Sequence, residues 1–89
     1  MRVASFEWDE GNIGHIARHG IVPEDVEEAC YNDPLIFRGR NNSYYAFGQS
    51  DNGNYLMIVF KIKFMGTARV ITARPMQNSE RKRYLRKGK

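Results

Sequence analysis

The sequence predicts an α+β fold in a single domain, a small antiparallel β-sheet meander with two helices before it and one after it. Three observations lead there. Apolar residues recur at helical spacing up to about residue 33 and at a spacing of two from Leu35 to Arg74. Turn-forming residues separate the runs. The 89 residues suffice for one compact core but not for two, and no repeat or linker-like stretch divides them.

Taken in order, residues 3–8 form a short apolar and aromatic run, read as an edge strand. Asp9 suits the N-cap of a helix over about 10–19, and Gly20 is placed to end it in a left-handed conformation. Pro23 fits the first turn of a second helix, where Glu24 and Asp25 complement the positive end of the helix dipole. Val22, Val26, Ala29 and Cys30 make its buried stripe, and Asp33-Pro34 ends it. Strands follow at 35–38, 44–49, 55–63 and 68–74, rich in aromatic and β-branched residues. Asp51-Asn52-Gly53-Asn54 is a hairpin turn, and Phe64-Met65-Gly66-Thr67 a second one. Alternation sends Leu56, Ile58, Phe60 and Ile62 to one face and Tyr55, Met57, Val59, Lys61 and Lys63 to the other. Pro75 closes the last strand, and Asn78 or Ser79 caps a terminal basic helix reaching Arg86, within a tail (81–89) that is expected to fray. The helices are expected on one side of the sheet.

Charge is segregated. Residues 1–33 hold eight acids and two bases, a net of −6, whereas residues 34–89 hold twelve bases and two acids, a net of +10. A localised basic field attracts polyanions, which favours a nucleic-acid partner slightly over the alternative, a solvated tail carrying the six bases after Glu80. Cys30 is the sole cysteine, so neither an internal disulfide nor a cysteine-rich zinc site can form. The N-terminus lacks a signal-like apolar stretch, and the longest apolar run, 55–60, is only strand length. A cytoplasmic protein without membrane contact is the expectation.

Several segments together resemble the BrnT family of bacterial type II toxins. They are Phe6-Glu7-Trp8-Asp9-Glu10, Asn12-x-x-His15-Ile16-x-x-His19-Gly20-Ile21, Asp33-Pro34-Leu35, and Gly48-Gln49-Ser50-Asp51-x-Gly53. Val59-Phe60, Val70-Ile71-Thr72-Ala73-Arg74 and Glu80-Arg81-Lys82-Arg83-Tyr84 complete the ordered set. Many family members end a lysine-rich first helix in Lys-His-Gly, where this chain has Arg18-His19-Gly20. The resemblance implies a RelE- or ParE-like fold, endoribonuclease activity, and neutralisation by a cognate BrnA-like antitoxin, with a homodimer or a toxin–antitoxin heterotetramer as the assembly. A non-catalytic RNA- or protein-binding module of the same fold is the rival reading.

RNA cleavage without a metal or other cofactor needs a base for the ribose 2′-hydroxyl, a cation for the phosphorane and an acid for the leaving 5′-oxygen. Arg74, ending an apolar strand before a rigid proline, is the first choice of cation; the alternative is a surface arginine lying over the sheet. His15 and His19, a turn apart with Asn12 one turn earlier, admit structural, acid–base or metal-binding roles, His19 being the better placed for proton transfer. The metal reading lacks a third ligand and the glutamate of an HExxH motif. Glu80 is either a proton carrier or a helix cap. Lys61, Lys63 and Tyr55 share a face suited to single-stranded RNA. Arg81 and Tyr84 are RNA contacts or, for Tyr84, a residue docking the helix on the sheet. Arg40 lies in a polar loop, 38–43, whose flexible backbone suits phosphate contact.

Overall fold

A computed structural model describes residues 3–87, and the alternation read from the sequence becomes a five-stranded sheet. The elements are β1 (Ser5–Glu7), α1 (Glu10–Ala17), α2 (Pro23–Tyr31), β2 (Leu35–Arg38), β3 (Ser43–Gln49), β4 (Tyr55–Ile62), a 3-10 turn (Phe64–Gly66), β5 (Thr67–Pro75) and α3 (Asn78–Leu85). Strands β2 to β5 form the expected antiparallel meander. The sheet as a whole is mixed, because β1 joins the β5 edge in parallel, with Ser5 opposite Thr67 and Glu7 opposite Arg69. Apolar alternation identifies a strand but carries no information about its partner or direction, so this pairing was not readable in advance.

The inward face is built from Ala46, Leu56, Ile58, Phe60, Ala68, Val70 and Ala73, and Ile16, Ile21, Val26 and Ala29 of the first two helices and their connection close over it. Val22 does not belong to this stripe. It is the N-cap of α2 and half exposed, and Ile21 supplies the buried side chain instead. Helix α2 lies so close to β3 that a Cβ at Gly48 would overlap the Ala29 carbonyl. Trp8 donates its indole N–H to Glu27 at 2.7 Å, tying the end of β1 to α2.

Contrary to the one-sided arrangement expected, α3 crosses the opposite face. Tyr84 meets Tyr55 edge-on at 6.0 Å, Arg83 lies over Phe37 at 4.5 Å and Arg74 pairs with Glu80. The reason is visible in the outward residues. Leu35, Phe37, Phe47, Tyr55 and Met57 are too apolar to face water together, and α3 covers them.

Helix ends also differ in detail. Arg18 is the C-cap of α1, so His19 stands beyond the helix, before Gly20 at φ 74°. Helix α3 is capped by Gln77, whose N–H donates to Glu80 at 2.8 Å, rather than by Asn78 or Ser79. The 38–43 segment is a tight hairpin turn and not a flexible loop. Asn41 and Asn42 both take positive φ, 56° and 62°, as a two-residue hairpin requires, and Ser43 N–H donates to the Arg40 carbonyl at 3.0 Å.

Candidate functional site

One row across the outward face departs from what folding alone would select. Glu7 of β1, Arg69 of β5 and Lys61 of β4 are successive cross-strand partners, which sets two cations side by side. Directly opposed like charges disfavour a sheet, so this pair calls for a compensating anion. Part of it is internal. Arg69 donates to Glu7 at 3.0 Å and to Asp9 at 2.8 Å, and Lys63 donates to Glu7 at 3.2 Å. Hydrogen bonds from Lys63 and then Arg69 hold the Glu7 carboxyl below the usual glutamate range, and the Arg69 bond does the same for Asp9. Lys61 is exposed and has no ion pair among the described residues. Three cations against two carboxylates leave the row with a net +1.

These residues line a cleft of about 490 Å³ between α1 and the sheet, with Gly11, Asn12, His15, Lys61, Lys63, Arg69 and Ile71 on its walls. Helix α1 is held there by Asn12, which is 4% exposed. Its amide donates to the Glu7 carbonyl at 2.8 Å and the Val70 carbonyl at 3.1 Å, and its oxygen accepts from Asp9 N–H at 2.8 Å. Asn12 is thus the bracket that places His15, one turn later, on the wall of the cleft that the cationic row also lines. Asp9 returns the bond to Asn12 N–H at 3.1 Å, closing a capping box.

A β-bulge decides which arginines share the face. Val59 pairs with Thr72 and Phe60 with Val70, so Ile71 is the extra residue. In a regular strand Arg69 and Arg74, an odd number apart, would point to opposite sides. With the bulge both point outward, alongside Tyr55 and Lys61.

The remaining candidates other than Arg40 lie toward the other end of the sheet. Arg74 grips Glu80 through two bonds of 2.8 Å. That pairing raises the Arg74 pKa and, acting first on the carboxyl, holds Glu80 below its usual range. Arg81 stacks over the Tyr55 ring at 4.1 Å. Tyr84 is 6% exposed, so it docks the helix and offers no free stacking face. His19, Tyr55 and Arg81 border a second groove with Asn78 and Pro75, whereas Glu80 lines a third with Arg83 and Phe47. His19 thus lines one of these grooves and Glu80 the other, and Arg74 lines neither. Arg40 is exposed at the β2–β3 tip, and since Ser43 pairs with Lys61 that tip lies at the Lys61 end. The basic tail is docked through Lys87, which bonds Asp33 at 3.0 Å; Gly88 and Lys89 lie outside the described residues.

Sequence reasoning passed over Arg69, Glu7 and Asp9. Arg69 carries the same signal as Arg74, a base within an apolar strand, whereas Glu7 and Asp9 belong to the acidic first third of the chain and give no sign that they meet the basic strands. Parallel pairing of β1 is what brings them to the basic face. Among the described residues no group of three His, Cys, Asp or Glu side chains converges as a metal site, and no helix is long and apolar enough to cross a membrane.

Neither a family model nor a curated protein matches the sequence. The structure, however, is similar to the crystal structure of the ribonuclease toxin BrnT of Brucella abortus, with a TM-score of 0.68 at 22% identity. The match covers 83% of this chain and 97% of that one. The α+β architecture implied by the sequence resemblance is therefore present, and the chain has the fold of BrnT.

Proposed function

We propose that this chain is the endoribonuclease toxin of a type II toxin–antitoxin pair, acting in the cytoplasm and cutting RNA without a metal. The observation that supports it most is the fold shared with the Brucella ribonuclease toxin over nearly that protein's whole length. The chemistry fits the cleft of His15, Lys61 and Arg69. A cation pair suits the two non-bridging oxygens of a phosphodiester, and Arg69 exchanges a carboxylate partner for the phosphate. The ribose 2′-hydroxyl attacks the adjacent phosphorus as its proton leaves, and the P–O5′ bond breaks as the 5′-oxygen takes one up. Histidine is the residue type suited to both transfers near neutral pH, and His15 is the one on this cleft. Glu7, whose carboxyl Lys63 and Arg69 hold below the usual glutamate range, is the weaker base of the two and serves as the internal anion that the phosphate replaces.

A second centre, Arg74 with Glu80 and His19, has one observation in its favour, the two-point grip on a carboxylate that a phosphate would mimic. Its weakness is that α3 already occupies that face. Alanine variants at His15, Lys61, Arg69, Arg74 and His19, assayed on a long RNA in EDTA, separate the two. The expected outcome is a loss of 100-fold or more, roughly the contribution of one acid–base group, for His15→Ala and a smaller loss for His19→Ala. Loss at Arg74 and His19 with His15→Ala unaffected would move the centre to the other end of the sheet. An antitoxin with acidic side chains, BrnA-like in role, would inhibit by covering the same basic face. Intact RNA with retained, salt-sensitive binding would favour a non-catalytic module.

A further inference from the structure

The β4–β5 turn presents Phe64, 87% exposed, and Met65, 77% exposed, to solvent. Turns of this kind ordinarily carry Gly, Asn, Asp or Ser, and two large apolar side chains there contribute nothing to a core. The backbone at Met65 is also held off its preference, at φ 66°, beside Gly66, which takes φ 75° freely. Nor is the tip loose. Lys63 N–H donates to the Thr67 carbonyl at 2.7 Å across it, and Ala4 N–H donates to the Gly66 carbonyl at 3.0 Å from the neighbouring strand. An aromatic ring is thus offered to solvent on a braced turn. Directly behind it stand Lys63, Lys61 and Arg69 of the cleft, and Arg40 occupies the neighbouring hairpin tip.

We propose that Phe64 is a base-stacking platform for single-stranded RNA, which lays its phosphates along Lys61 and Lys63 and leaves a base against the ring. The inference rests on the RNA-cleaving reading of the same cleft. Charge complementarity selects the occupant. A purely apolar partner would be served by an uncharged surround, whereas a cationic track ending in an exposed ring matches the alternation of phosphate and base in an unpaired strand. A duplex keeps its base faces stacked inside and cannot use the ring.

The test uses a fluorescently labelled, single-stranded 2′-O-methyl oligoribonucleotide, which binds but lacks the hydroxyl needed for cleavage, with a 2′-O-methyl duplex beside it. Fluorescence anisotropy is measured for the full-length protein and for the Phe64→Ala, Phe64→Trp and Lys61→Ala variants across a salt series. Phe64→Ala is expected to weaken single-strand binding roughly 5- to 100-fold with an unchanged salt slope. Phe64→Trp restores it, and Lys61→Ala lowers the salt slope by about one. Duplex binding is indifferent to Phe64. Equal binding by Phe64→Ala, an equal loss on duplex, or failure of tryptophan to rescue overturns the proposal. So does a Phe64→Ala defect confined to self-association or to capture of an antitoxin peptide. Cleavage of unmodified RNA by a protein whose oligonucleotide binding ignores Phe64 overturns the platform alone. Absence of any RNA binding overturns both readings.

Discussion

Replacing Asn12 by alanine removes the bracket between α1 and the sheet, and its cost can be worked from the contacts. The Val70 carbonyl loses a buried hydrogen bond, the Glu7 carbonyl a part-buried one, and Asp9 N–H its cap acceptor. At about 0.5–1.5 kcal/mol for each net bond, and more for the carbonyl that water cannot reach, the loss comes to ~2–4 kcal/mol. In a domain of this size that lowers Tm by roughly 10–25 °C. Urea melts followed through Trp8 fluorescence measure it. Asn12→Asp is the sharper comparison, since it keeps an acceptor for Asp9 N–H yet faces two carbonyl oxygens with a carboxylate. It is expected to be at least as destabilised at pH 7 and to recover part of the loss in acid, where the protonated carboxyl can donate. If Asn12→Ala lies within about 0.5 kcal/mol of the wild type, the bracket is not what seats α1.

Three further outcomes follow from the packing and the titrating groups. Gly48→Ala forces a methyl group into the Ala29 carbonyl, so the variant should lose ~1–3 kcal/mol or more in the same urea assay. Glu80→Gln removes a two-point pair that is only partly exposed, at about 1–2 kcal/mol near neutral pH. Because folding lowers the Glu80 pKa from 4.5, that contribution is complete above this pH and fades as the pH falls below it. The Tm gap between wild type and Glu80→Gln should therefore hold from pH 7 to 5 and close in stronger acid. Burial pushes the Cys30 thiol up to about 12, so a thiol reagent at pH 8 should label it only as fast as the protein opens. Rapid stoichiometric labelling of the folded protein would contradict the packing of α2.

The meander, the hairpin turns and the α1 and α2 core were legible because periodicity and turn chemistry are local. Leu56, Ile58 and Phe60 face inward as alternation requires, and Gly20 and Gly53 take the positive φ that their turns demand. What escaped was non-local. The direction of β1 depends on where the chain re-enters the sheet, and with it went the recruitment of Glu7 and Asp9 to Arg69. The bulge at Ile71 was equally hidden, since an extra residue in a strand leaves no mark in an apolar run. Of the candidates, Lys61, Lys63, His15 and Asn12 converge on one cleft, though Asn12 does so as its bracket. Arg74 and Glu80 were each singled out alone, whereas their mutual grip needs the turn between β5 and α3. Tyr84 resolves toward docking because Tyr55 and Lys87 enclose it.

The chemistry of the RNA ends decides whether this chain cuts RNA through the ribose 2′-hydroxyl without a metal. Long RNA is incubated with the purified protein in EDTA, and the new termini are examined by kinase labelling and by phosphatase sensitivity. Attack by the 2′-hydroxyl leaves a 5′-hydroxyl, labelled without prior dephosphorylation, opposite a 2′,3′-cyclic phosphate, and those ends are the expected result, lost with His15→Ala. Cleavage that stops in EDTA, or that leaves 5′-phosphates, would contradict it.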